Sequence, residues 1–138
     1  MIICESLVYG YLITATPPAN AAVAAVRAAI ATRMYPVIRP QSTILPALTY
    51  QRVAATRVDG LTEPGRLVDV RLQIDAWAAG YGQVKELAAN VRLALNGYAH
   101  GPRDGLRAMH FLVDQDLIDE TTKTYRVSAD YSIWVEED

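Results

Sequence analysis

The sequence predicts an α+β fold: a single antiparallel or mixed β-sheet with helices packed mainly on one face. Two segments, 21–31 and 81–96, carry apolar residues three or four apart, the period of a helix with one buried stripe. Two others, 68–78 and 125–135, alternate apolar and polar residues with the period of a half-buried strand. Short stretches rich in turn residues separate the strands, which favours antiparallel neighbours. With 138 residues, 51% of them apolar, the chain suffices for one core and is too short for two, so residues 1–138 are read as one domain.

In chain order, Glu5–Thr14 can form a short helix that Pro17 and Pro18 end, because proline lacks the amide donor and restricts the residue before it. Asn20 offers an N-cap for a helix over Ala21–Ala31, whose Val23, Val26 and Ile30 form a narrow apolar stripe between alanines. Pro36, Pro40 and Pro46 exclude helix from the next stretch, leaving Met34–Ile38 as a short extended piece. Leu48–Val58 reads as a strand of weaker alternation. Asp59-Gly60 and Pro64-Gly65 turn it into the clearest strand, Val68–Ala78. Val84, Leu87, Ala88, Val91 and Leu95 then share one face of a central helix at about 81–97, stopped by Gly97. A polar loop, Ala99–Gly105, precedes a strand at Met109–Val113. Asp119–Lys123 turns the chain into the last strand, closing a C-terminal β-hairpin.

The formal charge of −2 conceals a gradient. Residues 1–58 hold five Arg and one Glu (+4), residues 59–113 hold six bases and six acids (0), and residues 114–138 hold two bases and eight acids (−6). A chain with no basic excess and only scattered arginines is not built to read nucleic acid. The longest apolar run, Leu7–Ala15, is about half of what a helix needs to cross a bilayer, so no membrane partner is expected. Glu5 precedes that run and the first cation is Arg27, so the pattern is not that of a secretory signal and synthesis in the cytoplasm is expected.

Residues for enzymatic chemistry are sparse. His100 and His110 fall in a polar loop and a strand, with no His, Cys, Asp or Glu at zinc-ligand spacing. Cys4, the single cysteine, has no base beside it to make it a nucleophile. Asp114 and Asp116 share one strand face, as solvated acidic runs commonly do. Gly80-Tyr-Gly82 lacks the third glycine and the lysine of phosphate loops. No catalytic residue, metal or cofactor is therefore expected. Trp77 and Trp134 stand out because both fall in phase with charged residues. Either the N-terminal helix or a loop covers them, or they anchor a subunit contact, where tryptophan is enriched.

Five segments in succession carry a resemblance: Arg33–Pro36 (RMYP), Leu45–Val53 (LPALTYQRV), Val70–Ala78 (VRLQIDAWA), the helix end Leu95–Gly97 (LNG) and Tyr125–Trp134 (YRVSADYSIW). Their order and spacing resemble the small tail-completion, or tail-terminator, proteins of long-tailed bacteriophages and prophages. The resemblance runs over residues 21–135 and leaves out the first twenty.

It implies an α+β protomer, not an enzyme, assembled in the host cytoplasm as a ring, a hexamer, that caps the tail tube of the virion. Its partners would be itself, the major tail tube protein and a head-closure or neck protein, with genomic DNA passing through the lumen without sequence-specific binding. The charge gradient suits a ring, in which one patch meets a different patch on the next subunit. The expected subunit interface is Arg27, Arg33, Arg39, Arg52 or Arg57 against Asp114, Asp116, Asp119 or Glu120, with Trp77 and Trp134 as anchors. The loop holding Asp59, Leu61, Glu63 and Arg66 is the expected contact with tube or neck. Alternatives are a head-closure or adaptor ring subunit, and a small α+β enzyme or ligand-binding domain.

Overall fold

In a computed structural model, which describes residues 3–16, 18–40, 44–58, 67–96, 98–99 and 105–137, helix α1 (Cys4–Tyr9) runs on into a π-helical turn, Gly10–Thr14. Helix α2 (Ala21–Ile30) leads to β1 (Met34–Pro36), β2 (Ala47–Arg57) and β3 (Leu67–Ala78). Helix α3 (Tyr81–Leu95), β4 (Tyr98–Ala99), β5 (Leu106–Asp119) and β6 (Thr124–Glu136) complete the fold. The strands form one sheet in the order β1-β2-β3-β6-β5-β4, with β1 parallel to β2 and every other pair antiparallel. The expected α+β class, mixed sheet, central helix and C-terminal strand pair are all present.

Local chemistry sets the element boundaries. Asn20 is extended (φ −157°) and its Oδ1 accepts the Val23 N–H at 2.9 Å, capping α2 as its sequence position suggests. Asn96, at the C-terminal end of α3, leaves the helix with ψ 131°; the expected stop at Gly97 lies outside the described residues. Strand β1 is short because Val37 takes φ 63°, a left-handed conformation that a β-branched residue rarely adopts and that ends extended backbone. Gly105, at φ 94°, makes the turn into β5, and its carbonyl accepts the Glu136 N–H at 2.9 Å.

The alternation in the two clearest strands decides where the core lies. Val68, Val70, Leu72, Ile74, Ala76 and Ala78 of β3 are buried together with Val127, Ala129, Tyr131, Ile133 and Val135 of β6. They meet Val84, Leu87, Val91, Ala94 and Leu95 of α3, while α2 packs beside α3 through Val23, Val26 and Ile30. A fully buried Leu or Ile such as Leu72 or Ile133 contributes roughly 1.5–3 kcal/mol by leaving water.

Two segments differ from the sequence expectation. Strand β5 covers Leu106–Asp119, well beyond the expected Met109–Val113. Bulges at Arg107 and Leu112 shift its phase, and every residue from Leu112 onward is exposed, so no apolar alternation marks it. The ladder to β6, from Val113↔Asp130 to Asp119↔Thr124, holds it extended. The start of the expected polar loop is instead β4, where Tyr98 and Ala99 pair with Met109 and Ala108.

Candidate functional site

Helices cover one face of the sheet, and the other face carries the residues that fall out of the apolar phase. On it Ser132 Oγ donates to Asp69 Oδ1 at 2.6 Å, and Arg71 Nη2 to Asp130 Oδ2 at 2.6 Å. Arg126 Nη2 lies 3.0 Å from Asp75 Oδ2, which also accepts from Gln73 Nε2. Each carboxylate is held by a cation or a donor, so this face offers a lattice of polar contacts rather than a free general base. Asp75 is buried, yet two donors satisfy it.

Trp77 sits at one end of this lattice, level with Arg126 of β6. Its Nε1 donates to Thr49 Oγ1 at 2.9 Å, and the guanidinium carbons of Arg39 and Arg126 lie 4.8 Å and 5.1 Å from its ring centroid. The segment after β1 therefore covers Trp77, in the manner of the loop reading rather than by the N-terminal helix. Trp134 lies half-buried on the same face, level with Ala108 and Asp69 in the ladder.

Of the five arginines expected to face a neighbour, three form hydrogen bonds within the protomer and a fourth, Arg39, lies against Trp77. Arg27 donates from Nε to the Leu12 carbonyl at 2.7 Å and from Nη2 to that of Tyr11 at 3.3 Å, bonding two carbonyls of the π-helical turn. Arg33 donates from Nε to the Pro46 carbonyl and from Nη2 to the Ala29 carbonyl, both at 3.0 Å. Arg52 bridges Glu5, at 2.7 Å, and Glu137, which also accepts the Cys4 N–H at 2.8 Å. Burial on its own would raise the Glu137 carboxyl, but the hydrogen bonds from Arg52 and the Cys4 amide outweigh it and hold the group below its ordinary range. Arg39 lies against Trp77 as above, and Arg57 stands exposed at the end of β2.

The four acids all lie on the exposed half of β5 and its turn. Asp116 accepts from Lys85 Nζ at 3.0 Å and Tyr81 Oη at 2.9 Å, and the Lys85 hydrogen bond is the main cause that keeps its carboxyl below the usual range. Asp119 Oδ1 accepts the Thr121 N–H at 3.0 Å and so shapes the turn. Asp114 and Glu120 are exposed. The structure gathers the acids on one strand but brings only Asp119 near one of the five arginines, Arg39.

Sequence reasoning missed two features. The clamp joining Cys4, Glu5, Arg52 and Glu137 links the two ends of the chain to β2, and no local pattern signals pairs so distant in sequence. The exposed apolar residues Leu112, Val113, Leu117 and Ile118 do leave a trace, as doublets flanking the acids on β5. Cys4 is fully buried and burial pushes its thiol well up, so it is inert as a nucleophile. His110 is exposed on β5; His100 and the expected contact loop with Asp59, Leu61, Glu63 and Arg66 lie outside the described residues. Among the described residues no cluster of three metal-ligating side chains occurs, and no helix is long and apolar enough to cross a membrane.

Comparison with known proteins bears on these surfaces. No curated protein matches the chain. Among solved structures, a chain from the virion of a native gene transfer agent particle has the same fold, with TM-score 0.67 and 21% identity over 86% of this chain and 87% of that one. The family model for tail completion protein gp17 matches residues 19–136, nearly the span of the resemblance in sequence. The chain therefore belongs to the tail completion protein gp17 family, and is a structural protein of a phage-type virion tail.

Proposed function

We propose that the chain forms a closed homo-oligomeric ring, a hexamer, that ends the tail tube and joins it to the head. The tube side would contact the major tail tube protein and the other side a head-closure or neck protein, with DNA sliding through the lumen without sequence reading. The protein acts by assembly and has no catalytic step. Membership of the tail completion family supports this reading, and one observation carries it. Exposed charge of opposite sign stands on well-separated strands of the sheet, Arg57 on β2 and Asp114, Asp116 and Glu120 on β5 and its turn. A subunit with unlike patches at its two sides is suited to heterologous, ring-closing contacts.

Native mass spectrometry of the purified chain tests the ring. A dominant species of six subunits is expected, and adding it to growing tail tubes should halt their elongation. A chain that stays monomeric or dimeric up to its solubility limit, or tubes that grow unchanged in its presence, would refute the proposal.

A further inference from the structure

We infer that neighbouring subunits join by β-strand addition, the free edge of β5 on one copy pairing antiparallel with the free edge of β2 on the next. This inference rests on the ring reading and specifies its junction.

Among the described residues, each edge is open over a comparable length. β1 covers β2 only at Leu48–Tyr50, leaving Gln51–Arg57 bonded on one side, to β3. β4 covers β5 only at Ala108 and Met109, the Asn96 side chain takes the Phe111 N–H at 2.9 Å, and Leu112–Asp119 bonds only to β6. An uncovered edge of seven or eight residues is a template for another strand. Successive antiparallel pairings from β2 through β3 and β6 make β5 antiparallel to β2. A rotation about a ring axis keeps strand directions, so the junction is antiparallel as well.

The side chains match in charge and polarity. Arg57 pairs with Val68, and Asp114 and Asp116 pair with Ala129 and Val127, so all three lie on the helix-covered side of the sheet. With Ala54 opposite Gln115, the junction sets this cation diagonally across from Asp114, with Asp116 two residues further along the same side. On the other side, Val113 and Gln115 of β5 face the small residues Thr56 and Ala54 of β2.

The stagger of the edges favours closure. Through the ladder, Gln115 in the middle of the β5 edge lies level with Thr49 of β2, whereas the middle of the β2 edge is Ala54. That offset is about 15 Å along the strands, against about 19 Å for a step of four strands, and gives a tilt of roughly 40°. Closed barrels tilt their strands by about 35–45°.

The test uses the full chain with Ala54→Cys and Gln115→Cys, separately and together, and a short bismaleimide. Both positions are exposed, whereas Cys4 is buried. Within one protomer they lie three strands and several residues apart, about 20 Å and beyond the reagent's reach. The double variant should give a covalent ladder ending at the ring size, and neither single variant should give more than traces. Arg57→Glu should raise the subunit concentration for half-assembly by about tenfold, and adding Asp114→Arg should restore it. If native mass shows a ring but the double variant gives no ladder, or a single variant cross-links as well, the strand junction is wrong and the ring stands. If no ring forms with the unmodified chain, the ring reading fails and the junction with it.

Discussion

Replacing Arg52 by Met tests whether this arginine braces the protomer. Its guanidinium joins Glu5 of α1 to Glu137 beyond β6, so both ends of the chain are fastened to β2. The Glu137 side chain is 8% exposed, and without Arg52 its remaining hydrogen bond among the described residues is the one from the Cys4 amide. Breaking a fully buried pair costs about 3–5 kcal/mol, because the abandoned charge stays desolvated. Arg52 keeps 29% of its side chain exposed, so water can enter the gap, and the expected loss falls to about 2–3 kcal/mol. For a domain of this size that lowers Tm by about 6–10 °C. The double variant Arg52→Met, Glu137→Gln removes the stranded charge while the glutamine oxygen still accepts the Cys4 N–H. It should therefore recover all but about 1 kcal/mol. Urea unfolding followed by Trp77 and Trp134 fluorescence, at matched subunit concentration, measures all three proteins. A single variant within about 0.5 kcal/mol of the parent, or a double variant as unstable as the single, would refute the brace.

The same clamp gives a pH signature. The Glu137 carboxyl is depressed below its ordinary 4.5, so its contribution is present above that pH and is lost as pH falls through the lower folded value. Acid unfolding should steepen below pH 4.5 in the parent and less so in Glu137→Gln, as seen by circular dichroism. Asn20→Ala removes the α2 cap and should cost about 1 kcal/mol in urea unfolding, whereas Asn20→Gly should cost only a few tenths. Val37→Gly relieves a left-handed β-branched residue whose side chain is 61% exposed, and should raise stability by about 1 kcal/mol, against the usual sign for a glycine substitution.

How much of this was legible in the sequence depends on whether an element has one wet and one dry face. Val68–Ala78 and Tyr125–Val135 do, and their strands lie within a residue or so of the expected bounds. The stripes of α2 and α3 were equally readable, since each packs one side on the core. The outer half of β5 has no buried face, so only its ladder partner β6 makes it a strand. Composition located the charge gradient, but the fold decides which charges are available. Arg27, Arg33 and Arg52 are turned inward onto carbonyls and carboxylates, which no count along the chain could show. Trp77 and Trp134 lie on the non-core face, as their phase with charged residues predicts. What covers Trp77 depends on Arg39, a residue 38 positions away in the chain.

The acids on β5 have a second consequence under the proposed junction, because a long open edge can also pair with a copy of itself. Antiparallel pairing of two β5 edges would set Asp114 and Asp116 against the same residues of the other copy, and like charges on facing strands destabilise a ladder. The β2 edge carries Arg57 and no exposed acid, so of the possible edge pairings the mixed one alone brings opposite signs together. The acids thus select against symmetric dimers as well as for the ring contact. Asp114→Asn with Asp116→Asn removes that selection without enlarging any side chain. Sedimentation velocity at low salt should then show dimers and heavier irregular species in place of one ring boundary. High salt should shift the parent in the same direction by screening the exposed charges. A doubly substituted chain that still sediments as one ring species, with an unchanged response to salt, would show that shape and not charge sets the pairing.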